Sequence, residues 1–231
     1  MKEVLKTTKK EFISFVVMAI LSGIMIGIGG SASLLAGATL GSSGKLIGAF
    51  LFTLGIFAIV TFEMRLFTGM VADIPEMKVK NIWKLPVCFL ANIIGVGIVA
   101  LLVYNTAIGA TLVEQSKNIT DVKLKDGWAL TALCSSTLCG GLITLSVWSI
   151  HHTPHKGLDA SIGVMFPILV FAFCGFDHSV ANVFYFYLSG AFLNATGQVI
   201  CYELVCILGN IIGGIVLPLA HMFKEHSKKR D

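Results

Sequence analysis

This sequence is poor in charge. Lys and Arg number 17 and Asp and Glu 13 in 231 residues, 13% together, while 55% are hydrophobic and the mean hydropathy is +0.85. That balance excludes a soluble globular domain and predicts an integral membrane protein. The net charge of +4 sits mainly in the terminal tails, which speaks for membrane orientation and against a nucleic-acid partner. Six cysteines (88, 134, 139, 174, 201 and 206) include no CxxC pair, so neither a zinc site nor a disulfide framework is expected, and the thiols read as small buried side chains. His178 and His221 are the histidines that fall within apolar runs, and His221 ends its own. A haem-binding redox subunit, which needs two histidines at depth, is therefore the weaker reading of another class. The HHTPH stretch from His151 to His155 resembles a metal site only superficially, with no acidic or cysteine ligand beside it. The paired Asn-Pro-Ala signature of water and glycerol channels is absent, as is a small-residue cleavage site after the first apolar run. No cofactor and no metal is expected.

What is present is a succession of apolar runs. They predict six spans at about residues 12–37, 46–72, 85–107, 127–150, 158–190 and 201–222, after a basic lead-in, MKEVLKTTKK, lying at the membrane surface. Two spans are interrupted. The fifth breaks at FAFCGFDHSVAN, where Cys174 and Gly175 precede Asp177 and His178 at a depth where ionisable groups are expensive. The second breaks at TFEMRLFTGM, from Thr61 to Met70, and paired broken spans point to a pore or transport site. An even number of spans leaves both termini on one side. Placing them in the cytoplasm puts twelve cations inside (Lys2, Lys6, Lys9, Lys10, Lys78, Lys80, Lys84, Lys156, Lys224, Lys228, Lys229 and Arg230) against four outside (Lys45, Lys117, Lys123 and Lys125).

The chain also echoes itself. ANIIGVGIV from Ala91 matches GNIIGGIVL from Gly209, and SGIMI from Ser22 matches GGLIT from Gly140, so that Asn92/Asn210 and Gly23/Gly141 share an offset of 118. Three spans per repeat invert the second half in the bilayer. The expected organisation is a single transmembrane domain with repeat one at about 11–107 and repeat two at about 125–223. Glycines such as Gly23, Gly27, Gly209 and Gly213 read as close helix packing, not as a nucleotide fingerprint.

LFTG (Leu66 to Gly69), GFDHSVANVF (Gly175 to Phe184) and GNIIGG (Gly209 to Gly214) together resemble the formate/nitrite transporter family, over nearly all six spans, and most closely its hydrosulfide channel branch. The resemblance implies an aquaporin-like, all-α protomer with six transmembrane helices in two inverted three-helix repeats, assembled as a homopentamer with one pore per protomer. It implies a channel in the cell membrane for small inorganic or carboxylate anions, hydrosulfide first and then formate or nitrite. A proton-coupled formate/nitrite secondary transporter is the alternative. Arg65 departs from the formate and nitrite members, in which an acid usually precedes Leu-Phe-Thr. Carried over residue by residue, the family pattern places His178, Thr68 and Asn182 at the pore centre and Phe52, Ile56, Leu66, Phe67 and Phe171 at constrictions. Lys6 or Lys10 on the cytoplasmic side, and Lys123 or Lys125 outside, are the candidates for vestibule lysines.

Physical chemistry gives these residues work. Phenylalanine slits strip water from a passing ion, and an imidazole donates to an anion through one nitrogen while Thr68 holds the other. Half-helix N-termini at the breaks favour negative charge. Asp177 is expected to cap the half-helix that begins near Ser179. Glu63 and Arg65 are expected to form an intramembrane ion pair, with each other or with a neighbouring chain.

Overall fold

A chain that crosses lipid must satisfy its backbone within itself, and helices do so locally. The computed structural model describes residues 9–152 and 157–228, and every regular element among them is helical. Among the described residues, α1 (Lys9–Thr39), α2 (Gly44–Thr61), α4 (Lys84–Tyr104), α6 (Trp128–His152) and α10 (Thr196–Lys228) lie in segments long and apolar enough to cross a membrane. A sixth crossing is broken: α7 (Leu158–Cys174) and α8 (Ser179–Ser189) meet at 45°. The six expected spans are therefore present, with α1 and α10 extended to 31 and 33 residues.

The two breaks differ. After Leu66 the second span resumes only as one helical turn, α3 (Phe67–Met70), and then tightens into a 3-10 stretch, Val71–Glu76, because Pro75 has no N–H with which to continue an α-helix. The region between the third and fourth spans is not the plain loop that its polarity suggests. It contains α5 (Gly109–Lys123), which buries Gly109, Leu112, Ser116 and Thr120 at helical spacing and packs on α8, α1 and α4. A short turn of helix, α9 (Ala191–Asn194), connects α8 to α10.

The repeat is visible atom by atom. A Cβ on Gly23 would stand 2.1 Å from the carbonyl oxygen of Asn92, and one on Gly140 would stand 2.3 Å from that of Asn210. Likewise a Cβ on Gly95 would meet the Ile20 carbonyl at 2.2 Å, and one on Gly213 the Thr137 carbonyl at 1.8 Å. Only glycine lets α1 lie on α4, and α6 on α10, at such a distance. These contacts correct the register: 140 − 23 and 137 − 20 are both 117, whereas 210 − 92 and 213 − 95 are both 118. Gly23 thus corresponds to Gly140 and not Gly141, because one residue more separates α6 from α10 than separates α1 from α4.

The central core runs through Ile26, Ile56, Val96, Leu112, Ile143, Ile168 and Phe184, all buried. Outward faces carry Phe50, Leu54, Leu101, Leu130 and Leu204, all exposed in the single chain, as suits a surface that meets lipid or other copies. The side chains of Lys6, Lys156 and the HHTPH stretch lie outside the described residues.

Candidate functional site

The two breaks are held by two asparagines. Asn92 on α4 accepts from the Phe67 amide at 2.9 Å and donates to the carbonyls of Ala19 at 2.7 Å and Arg65 at 2.9 Å. Asn210 on α10 accepts from the Ser179 amide at 3.0 Å and donates to the carbonyls of Ser136 at 2.8 Å and Asp177 at 2.9 Å. Each therefore serves the first amide of the resuming helix and the carbonyl two residues earlier, groups that a broken helix orphans. The sequence signal for this role was the Asn-Ile-Ile-Gly echo, read only as evidence of a repeat.

At the second break Gly175 adopts φ +77° and closes α7, its amide and that of Phe176 both returning to the Phe171 carbonyl at 3.0 Å. His178 follows in extended geometry as the N-cap of α8, and its ring Nδ1 accepts from the Ala181 amide at 3.1 Å. The cap is thus His178 and not Asp177, which corrects the expectation above. An amide N–H can only donate, so Nδ1 carries no proton and the neutral ring is protonated on Nε2. That nitrogen lies 2.8 Å from Thr68 Oγ1. Nε2–H donates to the hydroxyl, the two breaks are bridged across 110 residues, and the Thr68 hydroxyl proton remains for another acceptor. Both ring nitrogens are engaged within the protein, so the donor presented to a visitor is Thr68. A second ring proton would displace the Ala181 bond.

Asp177 is buried, at 4% exposure, and its Oδ1 gathers three donors: the Lys123 ammonium, the Tyr202 hydroxyl at 2.7 Å and the Asn182 amide at 3.1 Å. Its own amide donates to Ser135 at 2.9 Å. Of the two outer lysine candidates, Lys123 at the end of α5 reaches this carboxylate, also lying 5.9 Å from the Tyr202 ring, while Lys125 lies at the rim. Both lysines line the cavity above His178, and which of them meets Asp177 follows from the docking of α5, a helix that hydropathy does not reveal.

Above His178 a cavity of about 1120 Å³ opens toward Lys45, Lys125 and Asp126, with Lys123, Asp177, Asn182 and Tyr202 on its wall. Its floor is aromatic. Phe52 and Phe171 meet edge to face at 5.6 Å, and Phe171 stacks on the His178 ring at 5.8 Å. Ile56 and Leu66 are buried close by in chain, one turn beyond Phe52 and immediately before α3. Phe67 turns instead to Phe89 on α4, at 5.1 Å, and does not line this cavity.

A second cavity of about 750 Å³ lies between the start of α1, the first break and the start of α4, and takes in Lys10, Glu63, Arg65, Lys80 and Lys84. Glu63 and Arg65 are both exposed and form no ion pair with each other, contrary to the first form of the expectation. Glu63 has φ +51°, a strained setting for a non-glycine residue, where the end of α2 is closed by the Met64 amide on the Ile59 carbonyl at 2.8 Å.

Six crossings, two of them broken and joined through Thr68 and His178 beneath a cavity, define a polytopic membrane protein. Residues 1–223 match the family model described as formate/nitrite transporter, and the chain belongs to that family. It is 28% identical over 208 residues to the uncharacterized transporter YrhG of Bacillus subtilis (strain 168), covering 83% of this chain and 76% of that one. The fold is similar to a structure described as an FNT family ion channel, at TM-score 0.81 and 22% identity, covering 96% of this chain and 94% of that one. It is also similar to a pentameric formate channel with formate bound, at TM-score 0.79 and 21% identity, covering 95% and 99%. The architecture is accordingly the aquaporin-like arrangement of two inverted three-helix repeats.

Proposed function

We propose that the chain is a channel for small monovalent anions, hydrosulfide foremost and formate or nitrite next, with one pore in each protomer of a homopentamer. The observation that carries this reading is the Thr68–His178 bridge directly beneath the Phe52–Phe171 contact. It offers a hydroxyl donor, but no acid, beside the buried rings of Phe52 and Phe171. Lys45, Lys123 and Lys125 against Asp126 and Asp177 leave the vestibule with one net positive charge, which raises the local anion concentration. An ion then loses water at the aromatic floor and meets the Thr68 hydroxyl, whose orientation is set by the donating imidazole. A transiently protonated, neutral form crosses the apolar contact more cheaply than a bare charge.

Ile56 and Leu66 are assigned to the constriction on the far side of Thr68, with Lys10 in the vestibule beyond it. Phe67 supports that constriction through Phe89. The anion-bound and pentameric relative supports both the substrate class and the assembly for this chain. The lysine distribution supports a plasma-membrane orientation with both termini cytoplasmic, and the Asn92/Asn210 correspondence supports repeats at about 11–107 and 125–223.

The test is flux into proteoliposomes across a panel of hydrosulfide, formate, nitrite and chloride, with internal pH recorded at the same time. Hydrosulfide and formate are expected to enter well above empty vesicles and chloride far more slowly. Entry of glycerol as fast as any anion, or no anion entry at all, overturns the reading.

A further inference from the structure

Glu203 on α10 is 7% exposed, yet neither of its carboxylate oxygens has a hydrogen-bond partner. Its position is set by helical periodicity. Val199, Glu203, Cys206 and Asn210 are all buried and fall on one inward face of α10. An acid inside a span is expensive, and a buried polar group without a partner calls for a reason beyond packing, for which any aliphatic residue would serve.

The groups around it supply one. Lys123 from α5 and Asp177 from the second break act on Glu203 electrostatically, and Asn182 on α8 lies beside it with its amide turned to Asp177 and Cys206. Tyr202 and Cys206 flank it on α10, and Cys139 of α6 lies beyond Cys206. The single cation in this set, Lys123, is already committed to Asp177. Asn182 Nδ2 is 3.1 Å from Asp177 Oδ1 and 3.4 Å from Cys206 Sγ, so one amide stands between the two acids. Asn182 and Tyr202 also line the vestibule, which places Glu203 one side chain behind the pathway.

We propose that Glu203 sets the charge of the anion vestibule: it holds a proton while the pathway conducts, and loss of that proton to vestibule water leaves an unbalanced negative charge behind Asn182 that repels anions. The proposal rests on the anion-channel reading. With both acids ionised the Lys123, Asp177 and Glu203 group carries one net negative charge; with Glu203 neutral it carries none. Across the width of one or two side chains, away from bulk water, that difference changes anion occupancy by about tenfold.

The experiment uses the full-length protein in proteoliposomes and formate, which stays ionised over the range tested. Wild-type flux is expected to fall about tenfold as pH rises from about 6 to 9, and Glu203→Gln, a neutral isostere, to remain high. Flux in Glu203→Gln that follows the wild-type profile, or a wild-type profile flat over this range, overturns the proposal. Infrared spectroscopy of the purified protein reads the proton directly. A carboxylic-acid carbonyl band that shifts in heavy water and disappears as the wild type is titrated to alkaline pH is expected, and its absence at neutral pH overturns the proposal whether or not the variant folds. Failure of wild-type vesicles to pass any anion strikes the channel reading instead and leaves the infrared result to decide the fate of the Glu203 proton.

Discussion

Asn92 and Asn210 make the same three hydrogen bonds at the two breaks, one accepted from the first amide of the resuming helix and two donated to carbonyls on different segments. Each asparagine ties its own helix, the break and the first helix of its repeat together. Replacing either by leucine keeps the volume, orphans the first amide of the resuming helix and leaves the break carbonyl with only a weak thiol donor. Asn210→Leu is expected to lower stability by about 2 kcal/mol, seen as a lower melting temperature in detergent. A melting temperature equal to wild type would mean that the breaks hold themselves.

Lys123 and Lys125 are two residues apart and are expected to behave differently. Lys123→Ala leaves Asp177 charged and buried without its cation, a loss of about 3 kcal/mol. Lys123→Ala with Asp177→Asn is expected to recover most of that loss, because the stranded charge is gone. Lys125→Ala is expected to leave stability unchanged and to weaken the dependence of flux on ionic strength. Equal melting temperatures for the two single variants would remove the buried pair from the account.

Phe171 contacts both Phe52 and the His178 ring. Phe171→Ala is expected to cost about 3 kcal/mol in stability and to widen the floor of the vestibule. Acetate and larger monocarboxylates should then enter faster relative to formate. A folded variant with wild-type selectivity would make this phenylalanine a packing residue only.

His178→Asn keeps an acceptor for the Ala181 amide, since asparagine is itself a good N-cap, while its shorter side chain gives up the Nε2 contact with Thr68. The variant is expected to fold and conduct. In wild type, an anion at Thr68 favours a positively charged ring even at the expense of the Ala181 bond, so flux should rise as the medium is acidified. His178→Asn should lose that acid limb and keep the alkaline one assigned to Glu203. An unchanged acid limb would confine His178 to a structural role.

Orientation is read from reporters at the two ends and in α5. Tags at Lys2 and Asp231 should be reachable only from the cytoplasmic side, and a cysteine introduced at Lys117 only from outside. Ends on opposite faces would be incompatible with the proposed orientation.

The sequence by itself determined the membrane class, the six crossings and the positions of both breaks, because hydrophobic length and interruption are local properties that each segment carries alone. Through a family resemblance it also singled out Thr68 and His178, which the fold brings within 2.8 Å of each other. Tertiary structure decided everything that needs two distant segments to meet. Lys123 was brought to Asp177 by the docking of α5, a helix too polar for hydropathy to see. Asp177 became the partner of Lys123 and Tyr202, and His178 took the cap, because the fold brings a cation and a phenol to the aspartate while the imidazole lies over the first turn of α8. The one-residue shift from Gly141 to Gly140, the turn of Phe67 toward Phe89 and the isolation of Glu203 have the same origin. Which carbonyl, ring or carboxyl a side chain faces depends on how helices cross, and nothing in the spacing along one strand of chain encodes a crossing.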